Sequence, residues 1–259
     1  MTKTSTLILA ACLCTGIAAF AQSPIDGTWK TNMAQTKFSP KPNVFYISQG
    51  WYHCVSCNPA FDAKADGTDQ AVTGQTYDTI NVKEVDANNI AVTTKKDGKV
   101  INDQTRAVSA DGKTLTVKTS SHPATGDQVV TATATGKRTG VKPSGVHATS
   151  GEWQIVKVVE SDNGLTTTYK TAGDQLTMSA PTGETYTAKL DGTDAPVTGA
   201  YGFDTVSLKK VNDHTVEETE KRNGAVVEVN TMTVSGKMMK VSSDNKVTGR
   251  TTSYTATKQ

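Results

Sequence analysis

Apolar and polar residues alternate along most of this chain. Ile80 and Val82 alternate with Asn81 and Lys83, Ile90 and Val92 with Ala91 and Thr93, and Leu115 and Val117 with Thr116 and Lys118. Successive side chains of an extended strand point to opposite faces, so this period of two predicts half-buried antiparallel strands. The breaks between them carry turn residues: Asp86-Ala87-Asn88-Asn89, Asp97-Gly98 and Asp111-Gly112. Nearer the start, Gly27-Thr28-Trp29-Lys30 runs into a strand, and Asn43 to Cys54 reads as two strands broken at Gly50. Between them, Asn32 to Pro42 ends in two prolines and is expected to be a crossing segment, not a central strand. No window of a dozen residues carries a helical period.

The pattern occurs twice. KADGTDQAVTG at Lys64–Gly74 returns as KLDGTDAPVTG at Lys189–Gly199, with eight of eleven positions identical. Gly27-Thr28-Trp29 answers to Gly151-Glu152-Trp153, and the run from Tyr77 answers to the run from Phe203. In the second copy Leu176, Met178, Val206, Leu208, Met239 and Val241 mark inward positions, with hairpin turns at Asp162-Asn163-Gly164 and Ala172-Gly173-Asp174. A copy this long is the size of a domain and far exceeds a solenoid repeat. The expected architecture is all-β: two tandem antiparallel up-and-down β-barrels of about eight strands each. Residues 22–138 form the first, 139–150 a linker rich in Gly, Pro and Ser, and 151–259 the second.

Residues 1–21 read as a secretory leader. Lys3 precedes an apolar stretch, and Ala19-Phe20-Ala21 forms a small-residue cleavage site, so a periplasmic or secreted protein is expected. Leu9-Ala10-Ala11-Cys12 also resembles a lipobox, which would instead anchor the chain at Cys12. The apolar stretch is too short to cross a bilayer, and no transmembrane segment is expected elsewhere. The chain has 27 basic and 25 acidic residues, and the leader removes only Lys3. Charge this balanced gives no reason to expect nucleic acid as a partner.

Gly-x-Trp at Gly27/Trp29 and Gly151/Trp153 resembles the first motif of lipocalins. With Lys37-Phe38-Ser39-Pro40 and the DGTD block, the chain is similar to a group of secreted bacterial proteins described as lipocalin-like. The resemblance implies a meandering barrel in each copy and brings no established activity. The Thr-Asp-Tyr turn of lipocalins is missing. So is a clear counterpart of the late arginine that packs under their tryptophan.

Candidate chemistry is sparse. The DGTD blocks read as corners between strands. As Ca²⁺ ligands, Asp66/Asp69 and Asp191/Asp194 supply too few oxygens. Cys54 and Cys57 are the only cysteines after the leader, and an exported pair at a hairpin tip is expected to form a disulfide. The other readings of this pair are a redox motif or a metal site completed by His53. The histidines sit in or beside turns, no nucleophile elbow is present, and Glu217, Glu218 and Glu220 read as solvent-facing. No catalytic residue, metal site or cofactor is therefore expected, and the protein reads as a non-enzyme. The function expected is binding of a small apolar or amphipathic ligand in one or both barrels. Trp29, Trp51, Tyr52, Trp153, Met178 and Met239 are the candidate contacts. The alternative is a structural or interaction module of the cell envelope whose barrels are filled by their own side chains.

Overall fold

The computed structural model describes residues 23–141 and 143–259. The leader and Cys12 lie outside them. The first copy contributes β1 (Gly27–Lys37), β2 (Asn43–Ser48), β3 (Trp51–Cys54), β4 (Phe61–Lys64), β5 (Asp66–Ala71), β6 (Thr79–Asp86), β7 (Asn89–Lys96), β8 (Lys99–Val108), β9 (Thr114–Ser121) and β10 (Val130–Arg138). The second contributes β11 (Gly151–Glu160), one helical turn α1 (Asp162–Leu165), β12 (Thr166–Ala172), β13 (Gln175–Ser179), β14 (Thr185–Lys189), β15 (Asp191–Thr198), β16 (Thr205–Asn212), β17 (Thr215–Arg222), β18 (Ala225–Ser235), β19 (Met238–Asn245) and β20 (Arg250–Lys258). The all-β antiparallel reading holds, with two barrel-like sheets of ten strands in place of about eight.

Three local expectations are corrected. The run after Trp29 stays extended to Lys37, because the prolines lie just beyond it. Asp162-Asn163-Gly164 forms the turn α1 and not a hairpin. The DGTD blocks are bulged strands, not corners. Asp66 Oδ1 accepts from Thr68 N (2.9 Å) and Oγ1 (2.6 Å), and Asp191 Oδ1 does the same for Thr193 (2.9 and 2.6 Å). Each bulge shifts the register once, between Asp66 and Asp69 and between Asp191 and Asp194. Turn-forming residues also build bulges, since both need a local kink and an extra backbone partner.

The larger correction concerns which residues form which barrel. The first sheet runs β4-β3-β2-β11-β10-β9-β8-β7-β6-β5; the closed second barrel runs β1 and then β12 through β20, with β20 returning to β1. The opening strands of the two copies are thus exchanged. Trp29 pairs with Thr167 of β12 and Lys258 of β20, and Trp153 pairs with Asn43 of β2 and Arg138 of β10. The residue ranges 22–138 and 151–259 describe the sequence repeat but not two self-contained barrels. β1 and β11 carry the same Gly-x-Trp signal, so each fits the other's place.

That signal has a physical cause. The Trp29 indole donates to Ile25 O (2.7 Å) and the Trp153 indole to Thr149 O (2.9 Å), and both rings are buried. A cation covers each ring: the Arg138 guanidinium lies 4.0 Å from the Trp153 centroid, and Lys258 Nζ 5.5 Å from that of Trp29. Arg138 also donates to Gly112 O, Ser150 O and Ala148 O. The cation over the tryptophan, for which the sequence reading found no counterpart, is therefore present in both barrels. It was hidden because each cation meets the tryptophan of the other copy. Gly151 has φ +132°, a conformation that favours glycine, and a Cβ there would stand 2.2 Å from Arg138 Nη1 and displace that side-chain end.

Candidate functional site

The two interiors share a design and differ in chemistry. At one end, both are packed with aliphatic side chains around a tryptophan. Leu176, Val206, Leu208 and Met239 surround Trp29, and Ile80, Val82, Ile90 and Leu115 surround Trp153. The other end of each is where they diverge.

In the first barrel, the ladder pairs Ile90 with Arg106, Val92 with Gln104 and Thr94 with Asn102. The matching pairs in the second are Val216 with Met232, Glu218 with Asn230 and Glu220 with Glu228. Arg106 thus stands where the second copy has Met232. Its guanidinium donates to Gln104 Oε1 (2.9 and 3.2 Å) and to the Tyr52 hydroxyl (3.2 Å), and lies 5.0 Å from the Phe45 ring centroid. Among the described residues no carboxylate forms an ion pair with it. Aromatic rings continue from it in a chain, Phe45 to Tyr52 to Phe61 to Tyr77, with centroids 5.7, 6.3 and 6.4 Å apart. Burial pushes the Tyr77 hydroxyl up to about 12, so it stays a neutral donor.

A cavity of about 630 Å³ opens among these groups. Phe45, Tyr52, Tyr77, Val117, Trp153 and Arg106 line its inner part, and Glu220, Arg222, Glu228 and Arg250 line its part at the mouth of the second barrel. The mouths are held together by Asn58 donating to Val247 O (2.6 Å), Lys41 to Thr248 O (2.5 Å) and Arg250 to Pro42 O (2.8 Å). Cys54 and Cys57 are disulfide-bonded, as expected, and both touch the cavity. They sit beside the one place where the first sheet is not laced shut: β4 and β5 share no ladder, whereas β14 and β15 pair through Thr185–Thr198 and Tyr186–Val197.

The second interior is a hydrogen-bonded acidic network. Glu218, expected on a solvent face, is buried and accepts from the Tyr186 hydroxyl and from Asn230 Nδ2 (3.2 Å). Asn230 also donates to Glu220 (3.1 Å), while Ser243 and Asn245 donate to Glu228. Burial, with the neighbouring carboxylates adding to it, pushes Glu220 up to about 9. Burial also raises Glu218 and Glu184. Tyr186, Tyr169 and Tyr254 are pushed up first by burial and then by Glu218. Arg250 Nε is buried at this mouth without a hydrogen-bond partner among the described residues.

Of the six expected contacts, Tyr52 and Trp153 line the cavity. Trp29, Met178 and Met239 pack inside the second core. Trp51 lies on the outer face of β3 and is 43% exposed. Phe45, Gln104, Arg106 and Tyr77 were missed, yet position-by-position comparison of the two copies would have flagged Arg106 against Met232. The candidate oxygen ligands are otherwise engaged: Asp69 pairs with Lys95 (2.6 Å) and Asp194 with Lys221 (2.5 Å). His53 meets Asp62 at 2.7 Å on the exposed side. Among the described residues no group of three or more His, Cys, Asp and Glu side chains is arranged to hold a metal ion, and no helix is long and apolar enough to cross a membrane.

No family model, curated protein or solved structure matches the chain.

Proposed function

We propose that this protein is an exported, non-enzymatic binding protein for a small apolar or amphipathic ligand, held in the first barrel. The observation that carries this reading is the cavity of about 630 Å³, in whose wall aromatic and aliphatic side chains such as Phe45, Tyr77, Val117 and Trp153 are interspersed with polar ones. Concave, mostly apolar hollows with sparse polar anchors are the usual form of small-molecule sites. The unpaired edge between β4 and β5 gives the wall a place to yield for entry.

The test is titration with N-phenyl-1-naphthylamine, a neutral dye that brightens in apolar surroundings. Saturable binding at one site per chain, weakened by Tyr77→Ala, is the expected result. Failure of the dye to bind would favour the second reading, an envelope module with filled barrels. The Glu218–Tyr186–Asn230 network, which occupies the second interior, favours that reading for the second barrel alone.

A further inference from the structure

The fold does not require an arginine at position 106. The same place in the same fold is filled by Met232 in the second copy, which packs there as an ordinary buried side chain. In the first barrel the position carries a permanent positive charge among Phe45, Tyr52 and Val117. Its partners are a carbonyl oxygen of Gln104, a phenol and two ring faces, all of them neutral. Arg106 is half-buried and lines the cavity, and with no carboxylate paired to it the guanidinium can take an anion that enters there. Tyr52 and Gln104 are likewise particular to the first copy. Leu176 and Asn230 take their places in the second. The three side chains form a polar cluster in the cavity wall; Thr94, Asn102 and Thr119 line the same wall without charge, so Arg106 alone gives the first-barrel part its positive sign.

We infer that the ligand of the first barrel is a carboxylate-headed amphipath, its carboxylate received by the Arg106 guanidinium and the Tyr52 hydroxyl and its apolar body lying toward Tyr77. This rests on the reading of the first barrel as a binding site. The carboxylate completes the guanidinium with the planar, charge-assisted geometry for which arginine is suited. The other cations of the cavity are placed differently. Arg222 and Arg250 stand at the mouth of the second barrel, where Glu228 shares the lining, and Arg250 already donates to Pro42 O.

Dodecanoate and methyl dodecanoate share a chain and differ in the charge of the head. Each is titrated against the bound dye in the wild-type protein and in Arg106→Met, which copies the native residue of the other barrel. The acid is expected to displace the dye from wild type at roughly ten-fold lower concentration than the ester, or lower still. Arg106→Met is expected to abolish that preference while the ester binds as before. If the wild-type protein binds the dye and both chains without preference, or if Arg106→Met keeps a preference for the acid, the carboxylate assignment is wrong and the binding site stands. If wild type binds neither dye nor chain, the site itself is wrong. The wild-type comparison needs no variant, so a misfolded Arg106→Met cannot shield the assignment.

Discussion

A single proton measures how unusual the second interior is. Glu220 keeps its proton up to about pH 9 in the folded chain, against an ordinary value of 4.5. Between those limits the folded state binds a proton that the unfolded state has released, so stability falls as pH rises. The contribution is complete below 4.5 and gone above 9. Each proton so retained changes stability by about 1.4 kcal/mol per pH unit. Glu218 and Glu184 shift the same way. Urea unfolding at pH 5, 7 and 9 should therefore give midpoints that decline with pH, and Glu220→Gln should flatten the decline and raise the pH 9 midpoint. Equal midpoints for wild type across that range would show Glu220 to be an ordinary surface acid. At the same scale, Gly151→Ala should cost about 1–3 kcal/mol, through backbone strain and collision with Arg138. Gly202→Ala, with open space around it, should change stability by no more than about 0.5 kcal/mol in the same unfolding assay.

The strands themselves were largely legible. Period-two alternation located β6, β7 and β9, and Asp97-Gly98 marked the turn after β7, where Asp97 has a positive φ. Two elements were misjudged for definable reasons. Asp66-Gly67 carries the same residues whether the chain turns back or bulges, so β5 was lost in a supposed corner. The prolines at 40 and 42 cast doubt on the whole preceding segment, though they bear only on their own neighbours, and β1 runs undisturbed to Lys37. Arg106 was not legible from its own copy, because an arginine in an alternating strand reads as outward until its register is known. The disulfide was legible from the pair of cysteines left after the leader and their place at an expected hairpin tip. The loop it closes is so short that little chain entropy is removed. Replacing Cys54 and Cys57 with serine should therefore cost no more than about 2 kcal/mol in chemical unfolding. A loss far above that would mean that the pair does more than pin its own turn.

For the molecule as a whole, the exchange of β1 and β11 is the organising fact, and no local signal could have disclosed it. Both strands carry Gly-x-Trp, both find a cation to cover the ring, and only the finished assembly says which barrel each joins. Cysteine pairs can test it. Thr28 faces Thr168 across β1 and β12, with their hydroxyls 2.9 Å apart. Without exchange, the repeat would place Thr28 against Val44, which instead faces Glu152. Mild oxidation of Thr28→Cys/Thr168→Cys should cross-link within one chain, detected as an added bridge by mass spectrometry, whereas Thr28→Cys/Val44→Cys should stay reduced. The opposite result would restore two self-contained barrels.

The register between Trp29 and Lys258 sets a timetable for biosynthesis. The barrel around Trp29 cannot be completed until Lys258 has been made, and the sheet around Trp153 must wait for the opening strand of the second copy. An emerging chain therefore holds β1 unpaired with β20 while every strand between them is made, and contacts this distant along a chain are slow to find each other. Once both sheets have formed, cutting the connecting segment would not release two particles. The severed pieces would stay clasped, each completed by a strand that belongs to the other.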